Sequence, residues 1–598
     1  MAKNDFMLTD EERRQRRRKR RRWLLTGVGF LLFAVVGVVA ARPVRHFIKG
    51  WQARRHAERA FVFIEQEKWR EARDEATAAY RLSPNEPQTL RAVARLVSRV
   101  NQPGAVEFWK KLEALQPLTR ADLREEAIAS LKTNDLAVAD EAIEELLKNE
   151  REKPTAADWL LAADVAGRKH QYDKASQFAE KTLTAPGLTR RDEYQAVFIL
   201  QTVVRDGGAR FVRDAKQIDD RMASLAKGND DVALDALIVL AQFAPGTAPE
   251  SNNAPPMPVD ELIRRIGDHP LAKVSHKLLA ADLEIRQHGD QRAQIEEREI
   301  ERWKNSDDKD LAILAAWLSR HGRYQRALDL IPAERAAKSR DLFVQNLDTL
   351  GAIGRWAEVK QLLESDRFPL EPFMQKMYLA RCNAQLGEKS AAENNWKRAL
   401  ESAAGDPAKL IVLADYAEKN AIIEVAGLAY EEAAAEAPNL WLAQQGRLRI
   451  AQISGDTQRI HAVLASMLAL RPNDPAIQNE EAYTRLLLLT QQESQGESLK
   501  EKVEGIKALA RKLLEAEPDS LPHRTLLALA LLKQNRPQDA LAVYNGVNAS
   551  QKELTPSAVV VHAATLALNG READARIEMS HLPKNKILPE EQALVSQL

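Results

Sequence analysis

The sequence has 598 residues, of which 45% are hydrophobic, with 87 Lys and Arg balanced against 86 Asp and Glu. A chain of this length exceeds a single-core domain, and its composition is too apolar for general disorder. The single cysteine, Cys382, excludes an intramolecular disulfide and any multi-cysteine zinc or iron–sulfur site within the chain.

The near-neutral total charge hides an uneven distribution along the chain. Residues 1–22 contain ten basic and four acidic side chains, residues 23–41 contain none, and residues 42–59 contain six basic and one acidic. The remaining residues, 60–598, therefore carry a net charge of about −10. Because most of the chain is acidic, we expect no nucleic acid as a partner.

Residues 23–41 read WLLTGVGFLLFAVVGVVAA and predict a transmembrane helix. A helix of that length measures about 28 Å, which just spans a bilayer core. Nine cations in the ten positions from Arg13 to Arg22 favour a cytoplasmic amino terminus by the positive-inside rule. A cleaved signal peptide and the inverted topology are the alternatives.

This pattern divides the amino-terminal region into a basic cytoplasmic tail (1–22), a transmembrane helix (23–41) and a juxtamembrane segment (42–52). We expect the basic flanks to meet anionic lipid headgroups. The predicted localisation is that of a single-pass cytoplasmic (inner) membrane protein, with the rest of the chain on the extracytoplasmic side.

Beyond Gly50, amphipathic segments alternate with short turns marked by Pro, Gly or Asn, which predicts a nearly all-helical chain. Small and large apolar residues recur with a period near 34, and about eleven units show recognisable pieces of the pattern. Two of the clearest units contain Trp69, Ala72, Ala76, Ala79, Leu82 and Pro84, and Ile423, Ala426, Tyr430, Ala433 and Pro438.

With these residues the chain resembles bacterial membrane-anchored tetratricopeptide repeat (TPR) proteins over nearly all of residues 53–598. The resemblance implies an all-α fold, a TPR-type helical-hairpin superhelix (α-solenoid), here with one N-terminal transmembrane helix. In such a fold small residues let paired helices approach, and stacking of hairpins buries their apolar faces. Residues 188–320 fit the pattern poorly and are either degenerate repeats or plain helical hairpins.

Proline-rich sequence interrupts the repeats at residues 245–258, which we predict to be an exposed linker. The repeats then form an N-terminal array (53–244) and a C-terminal array (259–598). The last residues, 588–598, begin with Leu-Pro-Glu-Glu and predict a capping helix for the last hairpin.

The sequence contains no phosphate-binding glycine loop, zinc-protease motif, nucleophile elbow or kinase signature. His269 and His276 are the nearest suggestive pair of histidines, and ordinary surface histidines explain them better than a metal site does. Cys382 lies in an apolar helix and is interpreted as a packed core thiol. We therefore predict that the chain is not an enzyme and holds no cofactor or metal.

The resemblance also implies an inner groove lined by particular positions of each first helix. A basic clamp for a peptide's terminal carboxylate is not expected, because the matching positions lack its Lys and Asn. An exposed, solubilising role is the alternative for each groove position. The positions that carry over are Asp164, Arg168, Arg381, Gln385, Asp415, Lys419, Arg449, Gln452 and Lys533.

These patterns predict a non-catalytic, membrane-anchored TPR scaffold that mediates protein–protein interactions in the cell envelope. Within that class, the expected tasks are protein export or folding, or envelope and exopolysaccharide assembly. The partners would be proteins or peptides in the groove and membrane lipid at the amino terminus. The alternative is a component of a glycan-handling or transferase system, with an unrecognised enzymatic segment in residues 188–320.

Overall fold

The computed structural model describes residues 48–100, 104–148, 153–242, 256–365, 369–489, 498–546, 554–583 and 586–598. In these ranges the chain is built of α-helices joined by short turns, with single 3-10 turns such as Ala209–Phe211, and contains no strand. The prediction of an all-α fold is confirmed.

Most helices have 9 to 19 residues, and they follow one another through the chain with few long connections. In chain order they are α1 (48–65), α2 (Trp69–Leu82), α3 (Pro87–Arg99), α4 (Ala105–Glu113), α5 (Arg120–Lys132), α6 (Leu136–Lys148), α7 (Ala156–Arg168), α8 (Tyr172–Thr184), α9 (Arg190–Asp206), α10 (Ala215–Leu225), α11 (Asp231–Gln242), α12 (Val259–Asp268), α13 (Val274–Gln287), α14 (Arg292–Trp303), α15 (Asp308–Arg320), α16 (Tyr324–Leu330), α17 (Ala333–Ala336), α18 (Arg340–Ala352), α19 (Trp356–Glu364), α20 (Pro372–Gln385), α21 (Lys389–Ala403), α22 (Pro407–Lys419), α23 (Ile423–Glu436), α24 (Trp441–Ser454), α25 (Thr457–Leu470), α26 (Pro475–Leu488), α27 (Ser498–Ala516), α28 (Leu521–Lys533), α29 (Pro537–Ala542), α30 (Pro556–Leu568), α31 (Glu572–Ser580) and α32 (Pro589–Leu594).

The chain divides into two compact units, of which the first ends at Thr133 and the second begins at Asn134. In the first unit, α2 packs against α3, and α3 packs against α4. The predicted small residues Ala72, Ala76 and Ala79 of α2 are all buried in this core. Small side chains allow the helices to pack closely, as the repeat pattern predicted.

The second unit is a succession of antiparallel helix pairs, among which α20 with α21 and α22 with α23 are closely packed. Ala426, Tyr430 and Ala433 of α23 are buried, in agreement with the predicted small and large positions. One hydrophobic core extends from Val274 in α13 to Ile450 in α24. Consecutive hairpins therefore bury one another's apolar faces, and the fold is the predicted helical solenoid.

The first helices of successive hairpins lie side by side in the second unit, as expected for the helices on the inner side of a helical solenoid. Contacts join α20 to α22 and α22 to α24, and likewise α26 to α28 and α28 to α30. Helices on the inner side of a curve approach one another more closely than those on the outer side. The exposed side of these first helices is called the inner face below.

The segment that fits the repeat pattern poorly, residues 188–320, continues the same architecture in its described part. It contains α9 to α15, and neighbouring helices in this series pack against each other. The predicted linker, 245–258, lies mostly outside the described residues. The helices on either side of it, α11 and α12, contribute to one hydrophobic core through Leu237, Leu240 and Leu262.

The predicted localisation in a membrane is wrong for the helices that the structure describes. No helix among the described residues combines the length and the apolar character needed to cross a bilayer. The apolar helix α30 has only 13 residues and measures about 20 Å, against the roughly 30 Å of a bilayer core. The 19-residue helix α27 is interrupted by Lys, Arg and Glu along its length. The predicted tail (1–22) and span (23–41) lie outside the described residues.

Candidate functional site

Charged residues of alternating sign occupy one repeated position on the inner face. The first helix of each of these hairpins is followed by a turn residue with positive φ, and in chain order these turn residues are Gly354, Gly387, Ala421 and Gly455. Each charged residue stands six positions before its turn residue. Since the hairpins repeat, equal distances from the turn place the side chains on equivalent faces of their helices. In chain order the four charged residues, called the charge ladder below, are Asp348, Arg381, Asp415 and Arg449.

Arg381 of α20 is held between aromatic rings. Its guanidinium carbon lies 5.2 Å from the ring centroid of Trp356 and 5.9 Å from that of Tyr416. Nη1 of Arg381 also donates to the Tyr416 hydroxyl at 3.3 Å, and the ring of Tyr378 lies 5.2 Å from that of Tyr416. Among the described residues Arg381 forms no ion pair, so rings hold its charge at the surface.

Asp348, one hairpin earlier, is solvent-exposed and yet surrounded by protein. Loss of hydration raises the pKa of Asp348, although the positive charge of Arg381 opposes the shift. Burial likewise raises the pKa of Tyr416 above its ordinary value. A carboxylate that water reaches but does not fully hydrate is typical of a concave surface.

Arg449 of α24 is fixed differently, because a carboxylate holds it. Nε and Nη2 of Arg449 each donate to Glu418 at 2.9 Å, and Nη2 donates to the Tyr430 hydroxyl at 3.0 Å. The Tyr430 hydroxyl donates to Glu418 at 2.8 Å. The hydrogen bonds from Arg449 lower the pKa of Glu418, and burial raises that of Tyr430 to about 12. This cluster stabilises the packing between hairpins and orients the Arg449 side chain.

Apolar side chains accompany the charge ladder on α22 and α24. Val412, Leu442 and Ile453 are 47%, 58% and 57% exposed. Val412 stands three residues before Asp415, and Leu442 and Ile453 stand seven before and four after Arg449. These spacings place the exposed apolar groups on the same helix faces as the charges. The inner face of these two helices therefore offers both charged and apolar contacts.

A small cavity of about 360 Å³ opens at the amino-terminal end of the same face. It is lined by side chains of α15, α18 and α20, among them Arg340, Gln345 and Met374. Arg340 approaches the Met374 sulfur at 3.2 Å, and Gln345 donates to Thr349 at 3.1 Å. The cavity is polar and open, so it suits a side chain of a bound polypeptide better than a buried cofactor.

The other predicted groove residues lie apart from the aromatic cluster. Asp164 and Arg168 of α7 form an exposed pair at 2.9 Å, one helical turn apart, and Asp415 and Lys419 of α22 form another at 2.7 Å. The α7 pair agrees with the alternative, solubilising role, whereas Asp415 belongs to the charge ladder and stays exposed beside Lys419. The remaining three are the exposed side chains of Gln385, Gln452 and Lys533, of which Lys533 donates to the backbone oxygen of Leu489 at 3.3 Å.

Sequence reasoning found three of the four ladder charges and missed Asp348. Gly354 and Gly387 are equivalent turn residues, both with positive φ. Aligning the two hairpins on these glycines would have identified Asp348, because it stands at the same distance before Gly354 as Arg381 does before Gly387. The partners Trp356, Tyr416 and Glu418 were also missed. They belong to neighbouring helices whose side chains meet Arg381 and Arg449 only after the hairpins stack.

The cysteine and the histidine pair singled out by the sequence lie in the described part of the chain. Cys382 is buried, its thiol donates to the backbone oxygen of Trp356 at 2.9 Å, and burial raises its pKa to about 11. His269 and His276 each accept a hydrogen bond from a nearby backbone N–H. No group of His, Cys, Asp or Glu suited to a metal ion occurs within the described ranges.

The fold and the inner face together define an α-helical repeat protein whose exposed concave surface carries charges, rings and apolar side chains. No family model matches this chain, and no curated protein matches it. A chain of the APC/C hetero-tetramer Cut9-Hcn1 aligns over 87% of this chain and 94% of its own length, with 14% identity and a TM-score of 0.24. A chain of the Naa15/Naa10 structure bound to HypK-THB aligns over 92% and 97%, with 14% identity and a TM-score of 0.29. At TM-scores this low the likenesses carry no argument, and the repeat assignment rests on the helix pairs themselves.

Proposed function

We propose that this chain is a non-catalytic scaffold that binds a polypeptide segment of a partner protein along the inner face of α18 to α24. The observation that carries the proposal is the charge ladder, with Arg381 held between Trp356 and Tyr416. The guanidinium is fixed by rings and by one hydrogen bond to Tyr416, and its other donors suit a carboxylate of a ligand.

The alternation of the ladder indicates the chemistry of the partner segment. A bound segment would place an acidic side chain at Arg381 and a basic one at Asp415, with apolar side chains on Val412, Leu442 and Ile453. Complementary charges of this kind provide specificity, whereas apolar contacts provide affinity. The membrane placement predicted from residues 23–41 is not part of this proposal.

The experiment is photo-crosslinking with a benzoylphenylalanine at position 412 of the full chain, followed by identification of the crosslinked peptide. We expect Arg381→Glu to lower the yield of that peptide at least tenfold, because the substitution places two carboxylates in contact. The matched control is Lys397→Glu on α21, an exposed charge reversal on the second helix of the same hairpin. Equal yields from both variants would refute the proposed site, and turnover of a substrate by the purified chain would refute the non-catalytic role.

A further inference from the structure

The carboxy-terminal residues 586–598, called the C-terminal segment below, pack against the hairpin that precedes them and also reach beyond it. Their helix α32 contacts both α30 and α26. A helix that only capped the last hairpin would contact that hairpin alone. The C-terminal segment also contacts α26 and the core around α28, so it extends from the last hairpin across the first helices of the hairpins before it.

Apolar contacts run along the C-terminal segment. Leu588 packs against two separate cores, one around Ile460 and Met467 of α25 and the other around Leu526 to Leu531 of α28. Leu594 contacts the second of these cores, and Leu598 contacts a third around Ala563 of α30. The segment thus lies where an amphipathic ligand helix would lie.

Two glutamates give the segment its polar contacts. The hydroxyl of Tyr483 in α26 donates to Oε1 of Glu591 at 2.7 Å, and Glu591 is only 1% exposed. The Thr457 hydroxyl hydrogen-bonds Glu590, and the charges of Glu590 and Lys533 interact. The second carboxylate oxygen of Glu591 accepts from the N–H of Leu588 at 2.9 Å. Thr457, Tyr483 and Lys533, called the tail site below, therefore recognise an acidic pair that follows a leucine.

The attachment of the C-terminal segment is short and partly polar. Its helix has six residues, and an isolated helix of that length is unstable in water. Gln592 and Ala593 remain exposed. An element with a single short helix undocks locally at lower free energy than the long helices beneath it.

We propose that the tail site binds an acidic helical segment of a partner protein, of the type Leu-Pro-Glu-Glu, and that the chain's own C-terminal segment occupies this site until the partner displaces it. The tail site lies on α25 to α28, outside the charge ladder, so this proposal does not depend on the function of Arg381. Occupation by the chain itself lowers the apparent affinity for the partner by the fraction of time that the site is free.

The test uses a fluorescein-labelled peptide of residues 586–598 and full-length proteins, with anisotropy as the readout. We expect a released variant, Leu588→Ala with Glu591→Ala, to bind the peptide at least tenfold more tightly than the wild type. Adding Tyr483→Phe to the released variant should weaken binding about tenfold, because a hydrogen bond to a buried carboxylate is lost. The matched control, Tyr378→Phe in the same background, removes a buried tyrosine hydroxyl of α20, away from the tail site, and should leave binding unchanged.

The outcomes separate the alternatives. Equal, weak binding by the wild type and a released variant of unchanged helicity would overturn the proposal. A dimer of the released variant without peptide binding would identify a second copy as the occupant and overturn it too.

Hydrogen exchange of the wild type is the second measurement, should the released variant unfold. Amides of residues 588–594 that exchange faster than those of α30 support displacement, whereas equal protection makes the segment a fixed part of the fold and contradicts the proposal.

Discussion

Single residues at the hairpin turns show how local conformation supports the repeat. Gly354, Gly387 and Gly455 adopt positive φ at the end of their first helices, and Ala421 occupies the equivalent position with φ 60°. A left-handed conformation costs an alanine about 1–2 kcal/mol, whereas glycine adopts it freely. The turn geometry is therefore imposed on Ala421 by the packing of α22 against α23.

We expect Ala421→Gly to raise the free energy of unfolding by about 0.5–1 kcal/mol. The substitution relieves the backbone strain at this position, but the greater conformational entropy of glycine in the unfolded state offsets part of that gain. The reciprocal variant, Gly387→Ala, should destabilise it by about 1–2 kcal/mol, since a Cβ there meets open space and only the strain acts. Denaturant unfolding followed by circular dichroism measures both. A lower midpoint for Ala421→Gly would show that the turn tolerates alanine without strain.

At the scale of elements, helix α32 depends on carboxylates that lie close together. Loss of hydration and the negative charge of Glu591 raise the pKa of Glu480 above its usual 4.5, although its side chain is exposed at the surface. Burial and the same glutamate raise the pKa of Tyr483. Three titratable groups interact with the glutamates of α32: Glu480 and Tyr483 of α26 with Glu591, and Lys533 of α28 with Glu590. Further titratable groups adjoin these: Tyr544 interacts with Tyr483, and Glu481, next to Glu480, pairs with His461 and Arg485.

We expect docking of α32 to weaken as the pH rises. Because the pKa of Glu480 is raised in the docked form, protonated Glu480 favours docking. The contribution of Glu480 to the free energy of docking is therefore complete below pH 4.5 and is lost as the pH rises through the raised pKa. Hydrogen exchange of residues 588–594, compared at acidic and neutral pH, measures the effect. Glu480→Gln should reduce the pH dependence of exchange. The control, Glu424→Gln, changes an exposed glutamate of α23 and should leave it unchanged. The same pH dependence in the wild type and both variants would show that Glu480 is not the group responsible.

At the scale of the whole second unit, its early and late hairpins contact each other. The guanidinium of Arg471 lies 3.6 Å from the Trp441 ring centroid, and its Nη1 donates to the backbone oxygen of Asn134 at 2.7 Å. Lys169 reaches Asp140 at 2.8 Å and Glu517 at 3.4 Å. Although burial opposes its charge, these carboxylates raise the pKa of Lys169. Residues more than 300 positions apart thus stabilise one curvature of the array.

We expect Arg471→Ala to cost about 2–3 kcal/mol, because a buried guanidinium loses its ring contact and its hydrogen bond to a carbonyl. Hydrogen exchange should then accelerate in both α6 and α26. The control, Arg459→Ala, removes an exposed ion pair with Glu431 and should cost less than about 1 kcal/mol. Acceleration confined to α26 would show that the two ends of the unit are independent.

The sequence by itself determined the helices, their pairing and the small and large positions of the core. Those features depend on contacts within one or two hairpins, such as those of Ala426 and Tyr430. The same residue types therefore recur in the sequence with a period near 34. The sequence also predicted Arg381, Asp415 and Arg449 as groove positions. It did not find Asp348, nor the rings and carboxylate that hold the two arginines.

Only the tertiary structure decided the contacts between distant hairpins. Tyr483 meets Glu591 across 108 positions, and Arg471 meets Asn134 across 337. Each hairpin adds a small rotation to the array, and these contacts depend on the sum of many such rotations. No local spacing encodes that sum, so the sequence predicted a capping helix at residues 588–598 but not the contacts that this helix makes with α26 in addition to α30.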